Sequence, residues 1–176
     1  MASTKAYDIS TNMRGLFAGS GVEGLSNPLI NEQILNLLPP EKRKNTEDVK
    51  VLYLGTATYD IALFREKQTR RFLDKGCEVS HLDVANSDID IDESASAIRS
   101  ADVLLVGGGN TLFAVDRWNH LGLVSHMREA MERGCILTGG SAGAICWFDS
   151  GHSDSADPET YKEAMLNEYS NENSKK

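Results

Sequence analysis

Short β-rich runs alternate along this chain with helical patterns, and that alternation constrains the fold more than any other feature. The candidate strands are Met13 to Phe17, Val49 to Leu54, Glu78 to Leu82, Val103 to Val106 and Ile136 to Thr138. Strands separated by helix-length segments pair in parallel, because only a crossover of that length can return the chain to the same sheet end. Between the first two strands, Asn27 to Leu38 places Ile30, Ile34, Leu37 and Leu38 on one face and stops at Pro39-Pro40, the pattern of an amphipathic crossover helix. Further helices are predicted over about Ile61 to Lys75, Asp92 to Ser100, Thr111 to Trp118 and Leu121 to Arg133, with Gly76 and Gly134 as C-terminal caps. The expected architecture is α/β: a doubly wound, mostly parallel sheet with helices on both faces. At 176 residues one domain is expected over residues 13–166, flanked by polar tails at 1–12 and 167–176.

Charge and composition exclude several functional classes. A net charge of −8 with scattered Lys and Arg argues against nucleic acid, which calls for a clustered basic surface. The dense run Glu41-Lys42-Arg43-Lys44 reads as a solvated loop. No apolar run approaches the roughly 18 residues of a membrane span, and MASTKAYDISTN lacks the apolar core of an export signal, so a cytoplasmic, membrane-free protein is expected. Cys77, Cys135 and Cys146 have neither disulfide nor zinc spacing and read as buried free thiols. Asp83 to Glu93 lacks the glycine and the terminal glutamate of a calcium loop, and reads as a polar loop entering a helix. No metal or other cofactor is expected.

The stretch Cys135 to Phe148, CILTGGSAGAICWF, carries the chemistry. A β-branched strand runs into Gly139-Gly140-Ser141-Ala142-Gly143, and Ala142 to Phe148 reads as the start of a helix. This is G-x-S-x-G at a strand-to-helix turn, where a sharp bend lifts the serine hydroxyl out of the sheet and small neighbours leave room for a substrate. The alternative is a tight turn in which Ser141 merely caps the helix. A second cluster, Gly107-Gly108-Gly109-Asn110-Thr111, follows the buried strand Val103 to Val106 at the strand end where α/β sheets build their sites. The Gly109 and Ala142 N–H groups could then form an oxyanion hole. A phosphate-binding loop is the competing reading, but this cluster has neither the G-x-G-x-x-G spacing nor a Walker lysine.

VGGGNTLFAV, followed about 30 residues later by GGSAGA and then a Ser-Asp pair, resembles the dipeptidase E (alpha-aspartyl dipeptidase) family of serine peptidases. Cyanophycinases belong to the same broader superfamily, and the likeness spans roughly Arg14 to Asp157. It implies a sheet related to class I glutamine amidotransferases. It also implies Ser141 as nucleophile, Gly109 and Ala142 as oxyanion-hole donors, and Asp154 as third triad member, with Asp157 a competitor. The implied substrate is a short peptide, a dipeptide with N-terminal Asp, and Arg117 is a candidate to hold the acidic side chain.

The family takes its general base from a Pro-His strand some tens of residues past the serine, and this sequence stops before one. The resemblance therefore implies a domain of which the C-terminal third is missing, leaving apolar faces that a homodimer could cover. His81, His120 and His126 precede Ser141 in a strand end and helices. His152, eleven positions after the serine, is the candidate substitute base, since loops can supply triad members. Two readings stay open: a serine-type peptidase acting through an acyl-enzyme, and a catalytically impaired homologue that binds a small molecule or partner. Amidotransferase chemistry would need cysteine where Ser141 stands.

Overall fold

The structure is a computed structural model that describes residues 12–86, 89–155, 163 and 167. In chain order it runs β1 (Arg14–Ala18), α1 (Val22–Leu25), α2 (Pro28–Asn36), α3 (Pro40–Lys44), β2 (Lys50–Leu54), α4 (Ala62–Asp74), β3 (Glu78–Leu82), α5 (Ile91–Ser100), β4 (Val103–Val106), α6 (Thr111–His120), α7 (Leu123–Glu132), β5 (Ile136–Gly140) and α8 (Ala142–Ile145). The five strands form one sheet in the order β1-β5-β4-β2-β3, and every neighbouring pair is parallel.

The core lies in two layers, one on each face of the sheet. Val51, Tyr53, Val103, Leu105 and Ile136 point to one side, where Leu25, Ile34, Leu35 and Phe72 of α1, α2 and α4 cover them. Leu52, Leu54, Leu104, Val106 and Leu137 point to the other and pack on Ile98, Trp118, Leu123 and Met127 of α5, α6 and α7. Because both faces are buried, β4 reads as an unbroken apolar run, VLLV, and not as an alternation. β3 at the sheet edge is largely exposed instead, which is why its sequence admits Ser80 and His81.

The five expected strands and crossover helices are all present, with ends shifted by a few residues. Gly76 and Gly134 sit at φ 85° and 92°, as C-terminal caps require. One expectation fails: Lys42 to Lys44 are helical. Pro40 supplies the fixed φ of a first helical position, and Lys42 Nζ bonds the Asp48 carbonyl at 2.6 Å and Asp102 Oδ2 at 3.0 Å, so Lys42 ties together the segments that lead into β2 and β4. Cys77 and Cys135 are buried free thiols, whereas Cys146 is half-buried; burial raises the pKa of all three, to about 12 for Cys135 and Cys146. No described helix is long and apolar enough to cross a membrane.

Parallel pairing brings the carboxyl ends of all strands to one edge. There, the helix leaving β2 packs on one face of the sheet and the helix leaving β4 packs on the other. Ligand sites of such sheets lie where neighbouring strands send their chains apart in this way, and the turns after β2, β4 and β5 come together at this edge.

Candidate functional site

Ser141 occupies φ 53°, ψ −120°, a conformation that costs a non-glycine residue of order 1–3 kcal/mol. Its N–H donates to the Ala18 carbonyl at 2.9 Å, and its carbonyl accepts from Ala144 N (2.9 Å) and Ile145 N (3.1 Å). The backbone of the turn is thus held between β1 and the first turn of α8. The side chain makes no capping bond to that helix, which overturns the reading of Ser141 as an N-cap. A cap hydroxyl needs extended dihedrals that point it back over the helix N–H groups; these dihedrals swing it away. The residue is exposed.

The glycines around Ser141 are set by close backbone approach. A Cβ on Gly143 would lie 2.2 Å from the Val106 carbonyl oxygen, and one on Gly108 would lie 3.4 Å from Ser141 Cβ. The GGGNT and GGSAGA turns therefore meet, as their sequence positions predicted. Gly109 has φ 127°, and a Cβ there would sit 2.1 Å from the Ala57 carbonyl oxygen; only glycine fits. The Asn of GGGNT has a structural duty: fully buried, its side chain accepts from Phe113 N at 2.9 Å and caps α6, while its N–H donates to Ala57 O at 2.8 Å.

The segment after the serine turns back onto the same region. Ser153 Oγ donates to Thr111 Oγ1 at 3.1 Å, Leu112 N donates to Ser155 Oγ at 3.3 Å, and the two serine hydroxyls lie 2.7 Å apart. The loop bearing His152 and Asp154 is thereby pinned to the start of α6, next to the Gly109 turn. Both residues are exposed. Asp157 lies outside the described residues. Among the described residues no histidine is hydrogen bonded to Ser141: His81 pairs with Asp83 at 3.4 Å, His126 with Glu129 at 3.5 Å, and His120 is exposed at the end of α6. Arg117 donates from Nε to the Val84 carbonyl at 2.6 Å and so braces the loop after β3.

Sequence reasoning missed the turn after β2, Thr56 to Asp60. It carries two consecutive left-handed residues, Tyr59 (φ 53°) and Asp60 (φ 58°). Thr56 Oγ1 accepts from Trp118 Nε1 at 2.9 Å, the Tyr59 ring lies 4.6 Å from that of Phe113, and Ala57 supplies the carbonyl that meets Gly109 and Asn110. Asp60 Oδ2 accepts from Ala85 N at 2.6 Å, whereas the buried Oδ1 has no partner. Burial raises the Asp60 pKa to about 6, helped by the nearby Asp83 and opposed by the Ala85 and Val84 N–H groups and by Arg65. The signal available in TATYD was the lone acid in an otherwise apolar and hydroxyl-bearing turn. Three cavities of 310, 280 and 600 Å³ lie along α4, β3 and α5, and Ser141 lines none of them.

Comparison with known proteins bears on the family and the fold. The model of Peptidase family S51 matches residues 16–169. An uncharacterized peptidase, YgaJ, of Bacillus subtilis is 34% identical over 137 residues, covering 76% of this chain and 55% of that protein. A Trypanosoma brucei brucei protein named G2/mitotic-specific cyclin-1 is 27% identical over 168 residues, 88% of this chain and 49% of its own length; the name belongs to that protein and carries no activity here. The chain spans about half the length of these curated relatives. A crystal structure described as a putative peptidase E protein from Listeria monocytogenes superimposes with a TM-score of 0.61 at 17% identity, covering 89% of this chain and 87% of that one, which supports the fold. With the family model covering most of the sequence and the glycine turns meeting at one serine, the chain belongs to peptidase family S51.

Proposed function

We propose that Ser141 is the nucleophile of a serine-type peptidase acting on short peptides. The observation that carries this reading is the strained, exposed serine at a strand-to-helix turn, its hydroxyl spared from capping. In the proposed cycle Ser141 Oγ adds to the peptide carbonyl as its proton passes to a base. The carbonyl oxygen becomes an oxyanion, which the Gly109 and Ala142 N–H groups stabilise; each such donor contributes on the order of 3 kcal/mol in serine hydrolases. Collapse breaks the C–N bond, the base returns the proton to the departing amine, and water hydrolyses the acyl-enzyme.

His152 is the proposed base within this chain and Asp154 the acid that orients it, because their loop is pinned beside the Gly109 turn. Preference for an N-terminal Asp follows from family membership alone. An aspartyl p-nitroanilide assay tests the proposal: release of nitroaniline that Ser141→Ala abolishes and His152→Ala depresses supports it. Release unaffected by Ser141→Ala would refute it.

One observation favours a second reading. Ser141 has no hydrogen-bonded histidine among the described residues, and loss of a triad histidine can cost on the order of a millionfold in turnover. On that reading the chain binds a peptide at the same turns without cleaving it, and an Asp-containing dipeptide would bind wild type and Ser141→Ala alike.

A further inference from the structure

The turn after β2 is in direct backbone contact with the Gly109 turn. Its Ala57 carbonyl receives the Asn110 N–H at 2.8 Å and lies where a Gly109 side chain would begin. The turn is held by Thr58 N and Asp60 N, both donating to the Gly55 carbonyl (2.8 and 3.1 Å), and by the Asp60 carboxyl reaching Ala85 N at 2.6 Å. Tyr59 holds a left-handed conformation (φ 53°, ψ 32°) that its side chain does not favour, and Asp60 follows at φ 58°, so the turn persists only while such contacts fix it.

We propose that Asp60 is a positioning residue for the Ser141 site: its carboxyl clamps the turn after β2, and that turn, through the Ala57 carbonyl, sets the orientation of the Gly109 and Asn110 peptide groups. The proposal rests on the peptidase reading for its functional meaning, but the coupling itself is structural. Two features of the carboxyl argue for a role beyond filling space. It spans two loops, accepting from the turn after β3 while belonging to the turn after β2. Its Oδ1 is buried without a partner, an arrangement a neutral carboxyl tolerates and a carboxylate does not. Ionisation strengthens the Ala85 N–H bond to Oδ2 and at the same time places charge on the buried Oδ1, so the turn shifts with the state of the carboxyl. The charged and titratable groups facing it are Tyr53 of β2, Arg65 of α4 and Asp83 after β3. His81 pairs with Asp83 and is the neighbouring histidine to control for.

The test is an amide NMR titration of the 176-residue chain between about pH 4.5 and 8, a window that brackets a carboxyl raised by burial, on wild type, Asp60→Asn and His81→Gln. In wild type the Ala85, Gly109 and Asn110 amides are expected to move together with one midpoint near 6. Asp60→Asn should remove that step at all three, and His81→Gln should leave it in place. A step at Ala85 with Gly109 and Asn110 unmoved would overturn the proposal, as would no step at Ala85. The wild-type titration decides the matter even if Asp60→Asn does not fold. In parallel, the pH profile of Ser141 labelling by a fluorophosphonate should change in Asp60→Asn and stay as in wild type in His81→Gln. If Ser141 is inert at every pH while the amides titrate together, the peptidase reading fails and the coupling stands.

Discussion

Two strained turns sit at the carboxyl edge of the sheet, and they spend their strain in opposite ways. At the turn after β5, Ser141 is alone at positive φ among glycines, and its hydroxyl faces out with no capping bond. At the turn after β2, Tyr59 and Asp60 are left-handed together, the ring stacks inward on Phe113, and one carboxyl oxygen is buried. Strain that presents a polar group to the exterior suits a reacting atom; strain that turns an acid inward suits a brace. The two turns meet at Gly109, against the Ala57 carbonyl on one side and beside the Gly108–Ser141 contact on the other.

Substitutions break this comparison with graded effects. The largest concerns Ser141→Gly, which, with Ser141 as the proposed nucleophile, should lower peptide turnover by at least about a thousandfold, because the residual rate would come from binding and the proposed oxyanion donors alone. The same variant should be as stable as wild type or about 1 kcal/mol more so, since glycine accepts φ 53° without penalty. Equilibrium denaturation beside the assay checks both; a strongly destabilised Ser141→Gly would mean the turn is not strained by its serine.

Gly109→Ala should destabilise the fold by about 3 kcal/mol, combining an unfavourable φ with a clash against backbone. A shift in denaturation midpoint reads it, and a neutral result would mean the turn after β2 yields easily.

Asp60→Asn acts through pH. The folded-state pKa of Asp60 is raised from 3.8 to about 6, so ionisation disfavours the folded state. Below about pH 4 the group is protonated folded and unfolded alike, and nothing is lost. As pH rises from about 4 to 6, the unfolded chain releases its proton first and wild type loses stability, by about 2 kcal/mol once partial exposure is discounted. The asparagine variant escapes this loss. Its stability relative to wild type should therefore rise between about pH 4 and 7, as urea midpoints at the two pH values would register.

The smallest effect is expected from Ser153→Ala, which removes an exposed loop hydroxyl from the start of α6 and should cost about 1 kcal/mol or less. If His152 serves Ser141, the same variant should still slow turnover, because the loop would lose its tie to Thr111.

The legibility of these two turns in sequence differs for a physical reason. Backbone contacts closer than a Cβ allows can be met only by glycine, so GGGNT and GGSAGA announce their close approach in the residue pattern alone. Apolar strand runs and capping glycines likewise give the sheet, because burial on both faces leaves few polar choices. The turn after β2 reaches a left-handed conformation at Tyr59, whose preference points elsewhere, and tertiary bonds from the turn to Ala85 and Trp118 hold it there. Nothing local in TATYD encodes that. The Lys42 to Lys44 helix is obscured similarly, since its anchors, Asp48 and Asp102, lie 6 and 60 positions away.

Labelling the folded chain with a fluorophosphonate and mapping the adduct by mass spectrometry decides whether Ser141 is an activated nucleophile. One adduct is expected, on Ser141, absent in Ser141→Ala and slowed in His152→Ala. A folded chain that takes no label at Ser141, or takes it equally on other serines, would contradict that reading.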